Sequence, residues 1–160
     1  MKRHTSAAGL ALAALALLGL ACPVAAGEQV PFHGSLAGVE PTISANPPIV
    51  ILSDNLTGNA TLLGRFTLVY PRNKVNLVTM SGTGSFFFTG ANGDMVSGTL
   101  TGQANTPGVV DVEEAATITG GTGRFAGATG GFTVKRVVDT TVVPFTTSGS
   151  FDGTISFPGR

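Results

Sequence analysis

Charge and reactive side chains are scarce in this chain. Charged residues make up only 11% of it, with no tryptophan, one tyrosine, one cysteine and two histidines. A lone cysteine excludes an internal disulfide. Two histidines, one of them at position 4, are too few for a His-rich or Cys/His structural zinc site. Nine basic residues balance nine acidic ones, which excludes a strongly basic nucleic-acid binder and an acidic solvating tail. Amphipathic helices are missing too: from Gly27 onward no stretch repeats its apolar residues with the 3.6-residue helical spacing. What the chain does have is glycine, 23 residues of 160, and a hydrophobic content of 42%, too high for a disordered chain.

Part of that hydrophobicity sits at the N-terminus. Lys2, Arg3 and His4 precede an apolar run from Ala7 to Ala21. At about 15 residues the run is shorter than the roughly 20 a spanning helix needs, so it reads as a secretory signal. Val24-Ala25-Ala26 puts small residues where a signal peptidase cuts, giving a signal over 1–26 and a mature domain over 27–160. Cys22 lies within the signal and leaves with it; the alternative is a lipid anchor on Cys22, although Gly19 stands where a lipoprotein signal has a branched apolar residue. Removing Lys2 and Arg3 turns the net charge slightly negative, which gives no attraction to nucleic acid or anionic membranes.

After Gly27, runs of Thr, Val, Phe and Ile alternate with Gly, Asn, Asp and Pro at intervals of about 10–15 residues, the mark of short antiparallel strands. The runs predict strands over Gln29–Gly38, Ile49–Ser53, Gly58–Tyr70, Lys74–Thr89, Asp94–Ala104, Val109–Thr119, Gly130–Val138 and Ser148–Phe157. Asn92-Gly93-Asp94 predicts a hairpin turn, because Asn-Gly tolerates positive φ. Pro41, Pro47, Pro48, Pro71, Pro107 and Pro144 fall at predicted strand ends or edges. The expected fold is all-β, a small eight-stranded antiparallel barrel whose closure removes exposed edges, with an open β-sandwich as the alternative.

Gly121, Gly123 and Ala126 have the spacing of a dinucleotide-binding turn. The Ala128-Thr129-Gly130-Gly131 that follows cannot continue as the helix such a turn must open, and no βαβ unit surrounds it. The glycines are instead expected to form a turn or bulge, with Phe125 packed inward and Arg124 paired to a carboxylate or solvated. No nucleotide, metal or other cofactor is expected.

The same segment, Gly120-Gly121-Thr122-Gly123-Arg124-Phe125 with its Ala-Thr-Gly bend, belongs to a set of three. The others are Gly58–Thr67, and Ala91-Asn92-Gly93-Asp94 with Gly98-Thr99. Together they resemble the allene oxide cyclase-like barrel superfamily, which includes the plant dirigent proteins and many exported bacterial proteins without assigned activity. The segments run from Gly58 to Thr133 in the family's order. The resemblance implies an eight-stranded barrel with a central cavity; it leaves function open, because members range from a cyclase to proteins that orient radical coupling. Relatives often carry a His where this chain has Leu62, so any role of that His is lost here.

Among the few carboxylates, Asp111 and Glu113 are expected to face solvent. Glu114 shares the parity of Val110, Val112, Ala116 and Ile118, which aims it into the apolar interior unless a bulge turns it out. An inward carboxylate requires a raised pKa or an Arg partner, and either suits acid–base work in a cavity. His33 is expected near a barrel end, and Tyr70 at a strand end or cavity rim. Phe86-Phe87-Phe88 puts aromatics on both faces of one strand.

Three functions follow. The first is a non-catalytic binding or envelope-associated module for a hydrophobic small molecule. The second is an isomerase, cyclase or coupling director with Glu114, Arg65 and Arg124 lining the cavity. The third is a structural homo-oligomer joined through the outward Phe face.

Overall fold

The computed structural model describes residues 27–105 and 109–158, so the signal segment, Cys22 and Pro107 lie outside the described residues. Ten strands are present among them: β1 (Gln29–Pro31), β2 (Gly34–Glu40), β3 (Thr42–Asn46), β4 (Ile49–Ala60), β5 (Gly64–Asn76), β6 (Ser81–Gly90), β7 (Met95–Ala104), β8 (Val109–Gly121), β9 (Thr129–Asp139) and β10 (Phe145–Ser156). All pairings are antiparallel. Neighbours run β2-β4-β5-β6-β7-β8-β9-β10, and β10 also pairs β2, which closes an eight-stranded barrel. Closure excludes the open sandwich. The short β1 pairs the far end of β10, while β3 pairs the start of β4, so both extend the line of β2.

The strands differ in detail from those expected. Gly58–Tyr70 is not one strand: β4 ends at Ala60, and the chain turns at Thr61-Leu62-Leu63 with Leu62 at positive φ. Lys74–Thr89 is likewise split, by the turn from Leu77 to Met80. Adjacent apolar residues, Leu62-Leu63 and Leu77-Val78, interrupt the alternation at both turns, a signal that a strand drawn straight through them overlooks. The Asn92-Gly93 turn is present as a four-residue connection with Gly93 at φ +87°, rather than a two-residue one. Pro71 lies within β5. Both neighbouring registers slip there, because β5 carries one more residue than β4 or β6 between Val69 and Lys74. The bulge accommodates a residue without an N–H.

One half of the interior is filled by Phe32, Phe66, Phe86, Phe88, Phe132 and Phe151. Phe88 sits among the other five, with ring centroids 4.9–5.8 Å away and mostly edge-to-face. Glycine makes room for four of these rings. Phe66, Phe86, Phe132 and Phe151 stand directly across from Gly58, Gly98, Gly153 and Gly34. A Cβ at Gly58 or Gly98 would lie 2.7 Å from the ring it faces. Much of the glycine content thus serves close strand-to-ring packing.

That half is capped by the Gly120–Phe125 segment. β8 bulges opposite Ser97-Gly98, a single 3-10 turn spans Gly123–Phe125, and Phe125 is buried beside Phe157. Gly123 has φ +58°, and a Cβ there would collide with the Asp94 carboxylate. Arg124 donates to Asp94 Oδ2 at 2.9 Å and to the Leu62 carbonyl at 2.8 Å, clasping three turns together.

Candidate functional site

The other half of the interior is built from charged side chains. Glu40, Asp54, Tyr70, Glu114 and Arg136 point inward from β2, β4, β5, β8 and β9, and each is at most 4% exposed. Ordinary alternation puts them there: Asp54 follows Val50 and Leu52, and Arg136 follows Phe132 and Val134, on the face that is apolar elsewhere. Asn73 joins them only because the bulge in β5 shifts its parity after Tyr70.

Arg136 is the hub. Its Nε donates to Glu114 Oε2 at 3.0 Å, and its Nη2 donates to Glu114 Oε1 at 2.8 Å, a two-pronged pairing. The same Nη2 reaches Asp54 Oδ2 at 3.3 Å. Nη1 donates to Glu40 Oε1 and, at 3.4 Å, to Thr147 Oγ1. The guanidinium also lies 5.7 Å from the Tyr70 ring centre. Tyr70 donates its hydroxyl to Glu114 Oε2 at 3.5 Å, and Asn73 Nδ2 donates to Asp54 Oδ2 at 3.2 Å.

One cation among three carboxylates cannot balance their charge in a medium of low dielectric. Burial pushes the Glu114 carboxyl up to about 8, aided by the neighbouring Asp54 charge and opposed by the Tyr70 hydrogen bond. Burial likewise raises Asp54 to about 7, against the Asn73 amide. Desolvation lowers Arg136 to about 10, still protonated at neutral pH. The cluster therefore stores exchangeable protons near pH 7. Among the described residues no group of His, Cys, Asp and Glu is arranged to hold a metal ion.

Above this floor lies a cavity of about 440 Å³. Its walls are chiefly apolar, with Val50, Leu52, Val75, Val110, Val112 and Val138; Glu40, Asn73, Glu114 and Arg136 form its polar floor, and Ser81, Gln103 and Thr140 add further polar side chains. It reaches the surface beside Leu77, which is half-exposed.

Of the residues singled out in the sequence, only Glu114 enters the cavity. Its inward parity called for a raised pKa or an arginine partner, and it has both. Arg65 is exposed on the outer face of β5, and Arg124 is half-exposed in its clasp at the opposite end. Arg65 precedes the inward-facing Phe66 in β5, and an arginine next to a core residue in a strand points out; Arg124 is carried outward by the 3-10 turn that buries Phe125. Tyr70 is a buried member of the cluster rather than a rim residue, and His33 is exposed between β1 and β2. Phe87 faces out and is partly exposed, while Phe86 and Phe88 are buried. Sequence reasoning missed Arg136, although the parity rule that found Glu114 applies equally to it, and missed Glu40 and Asp54 because β2 and β4 run past the expected strand ends at Gly38 and Ser53. Asn73 had no such signal, because its inward position depends on the bulge.

No protein-family model matches the chain, and no curated protein matches it. Among solved structures it is similar to that of a pterocarpan synthase dirigent protein, at 15% identity and a TM-score of 0.54, over 84% of this chain and 88% of that one. Identity this low speaks to fold alone. The barrel is dirigent-like, in agreement with the resemblance of the three sequence segments.

Proposed function

We propose that this barrel binds an apolar small molecule in the cavity above the Arg136 cluster. The observation that carries the reading is the cavity itself, with apolar walls and a few convergent polar groups. Small-molecule sites have this composition at volumes of about 300–1,000 Å³. Native mass spectrometry of protein purified from its own host is expected to show a retained ligand. A ligand-free spectrum, together with no uptake of an apolar fluorescent probe, would sink the reading.

A second reading is favoured by Glu114, which lines the cavity floor and whose carboxyl burial pushes up to about 8. A bound molecule resting on Glu114 meets a group able to give or take a proton, which suits an isomerisation or a directed coupling. The dirigent protein of similar fold is a pterocarpan synthase, in keeping with such a role. Conversion of a bound molecule is then expected to disappear in Glu114→Gln while binding persists. Equal turnover by the variant would leave binding as the whole function.

We also propose that the chain is exported, with residues 1–26 as the signal. The mass of the mature protein is expected to begin at Gly27; a lipid increment on Cys22 would instead mark an anchored form.

A further inference from the structure

The two ends of the barrel differ in charge and in what they expose. At the end where the cavity opens, β2, β5, β7 and β9 finish and β4, β6, β8 and β10 begin. The four connections there span 41–48, 77–80, 105–108 and 140–144, and none contains Asp, Glu, Lys or Arg. Connections at the opposite end carry His33, Asp94 and Arg124.

Exposed aliphatic side chains follow the same division. Among the described residues, six large ones belong to the cavity end: Ile43 in β3, Leu77 and Val78 between β5 and β6, Val109 at the start of β8, and Val142 and Val143 between β9 and β10. Connections at the opposite end expose one, Leu62. The strand order spaces the four cavity-end connections round the barrel, so the six side chains ring the mouth, and Leu77 also forms part of the cavity wall. Turns ordinarily hold Gly, Asn, Asp or Pro. Val78 and Val143, at 79% and 91% exposed, contribute almost nothing to the core. A cluster of exposed apolar residues marks a contact with a protein or a membrane.

Size and charge decide between these partners. A stable protein interface takes about 20–30 residues a side, whereas the ring offers six, set round an opening rather than across a face. A bilayer needs no matching surface. Protruding aliphatic tips enter it one by one, provided no charge has to leave water with them. The uncharged connections meet that condition. Charges resume on the outer wall behind the ring, Arg72 and Lys74 against Asp111 and Asp139, two of each sign. Such a balance gives no preference for anionic lipid.

We infer that the cavity end of the barrel docks on a lipid bilayer, with Val78 and Val143 entering its apolar layer and the cavity mouth held against the membrane. This surface is separate from the cavity floor and stands whether or not a ligand is bound there.

Flotation with lipid vesicles tests the inference on the chain from Gly27 onward, which keeps every described strand and leaves out the apolar run 7–21 and Cys22. That chain is expected to float with phosphatidylcholine vesicles, equally well when they also contain phosphatidylglycerol, and with little change at high salt. Val78→Asp and Val143→Asp are each expected to lower the partition constant about tenfold, the worth of one buried aliphatic side chain. Leu62→Asp puts the same charge on the opposite end and is expected to leave flotation unchanged. Both valines are exposed, so their variants should keep the parent's unfolding midpoint, which separates lost docking from lost folding. Failure of the parent chain to float would overturn the inference, as would flotation confined to anionic vesicles or an equal loss in Leu62→Asp. A dimer in light scattering that Val143→Asp dissociates, with no flotation, would assign the ring to a second copy and overturn it as well.

Discussion

The two halves of the barrel interior are lined by the same eight strands, yet they solve opposite problems. The aromatic half has six phenylalanines packed mostly edge to face, four of them over facing glycines. The ionic half has one arginine among three carboxyls, with two oxygens left unpaired. Each buried phenylalanine contributes about 1.5–3 kcal/mol of transfer free energy. The ionic cluster returns far less, because desolvation of its charges offsets their attraction. The contrast teaches that this barrel is stabilised at one end and holds its chemically reactive groups at the other, beside the cavity.

Paired substitutions sharpen that contrast. Phe88→Ala removes the ring at the centre of the aromatic half and is expected to cost about 3–5 kcal/mol in denaturant unfolding, with little dependence on pH. Arg136→Met leaves three buried carboxyls without their cation and is expected to cost a similar amount, about 3–5 kcal/mol, near pH 8. That second loss should shrink as pH falls and the carboxyls take up protons. Equal pH profiles for the two variants would erase the distinction between the halves.

A smaller effect is expected in the pH dependence of the unsubstituted protein. Asp54 and Glu114 stand at about 7 and about 8 when folded, against ordinary values of 3.8 and 4.5. Between those limits the folded chain holds protons that the unfolded chain has released. Stability is therefore highest at the acidic end of the window and declines as pH rises toward 8, by at most about 1.4 kcal/mol per pH unit for each proton. Glu114→Gln should flatten the part of the slope due to that carboxyl, and unfolding curves from pH 5 to 8 check it. The smallest change is expected for Arg124→Ala at the capped end. Its ion pair is half-exposed, so the loss should be about 0.2–1 kcal/mol and should leave ligand binding in the distant cavity unaltered.

Much of this contrast was already legible in the residues. The strand-forming runs, the inward parity of Glu114 and the turn-forming glycines before Phe125 follow from local sterics and side-chain alternation. Arg136 was legible by the same alternation, since it interrupts the face of Phe132, Val134 and Val138, whereas Glu40 and Asp54 lay past the expected ends of their strands. The turns at Leu62-Leu63 and Leu77–Met80 show in the sequence only as adjacent apolar residues within long strand-forming runs. Asn73 was not legible either, because its direction depends on a bulge whose existence is a property of paired strands. Arg65 and Arg124 belong to segments that resemble the family, but a shared motif does not say which face of a strand an arginine occupies.

The sequence by itself determined an all-β chain with little charge, no disulfide and no helical periodicity, because composition and alternation act within a few residues. Tertiary structure alone decided that β2 and β10 meet to close a barrel, and that Glu40, Asp54, Glu114 and Arg136 converge from four strands. Convergence is a matter of register and closure: residues far apart in the chain become neighbours only when every strand has found its partner.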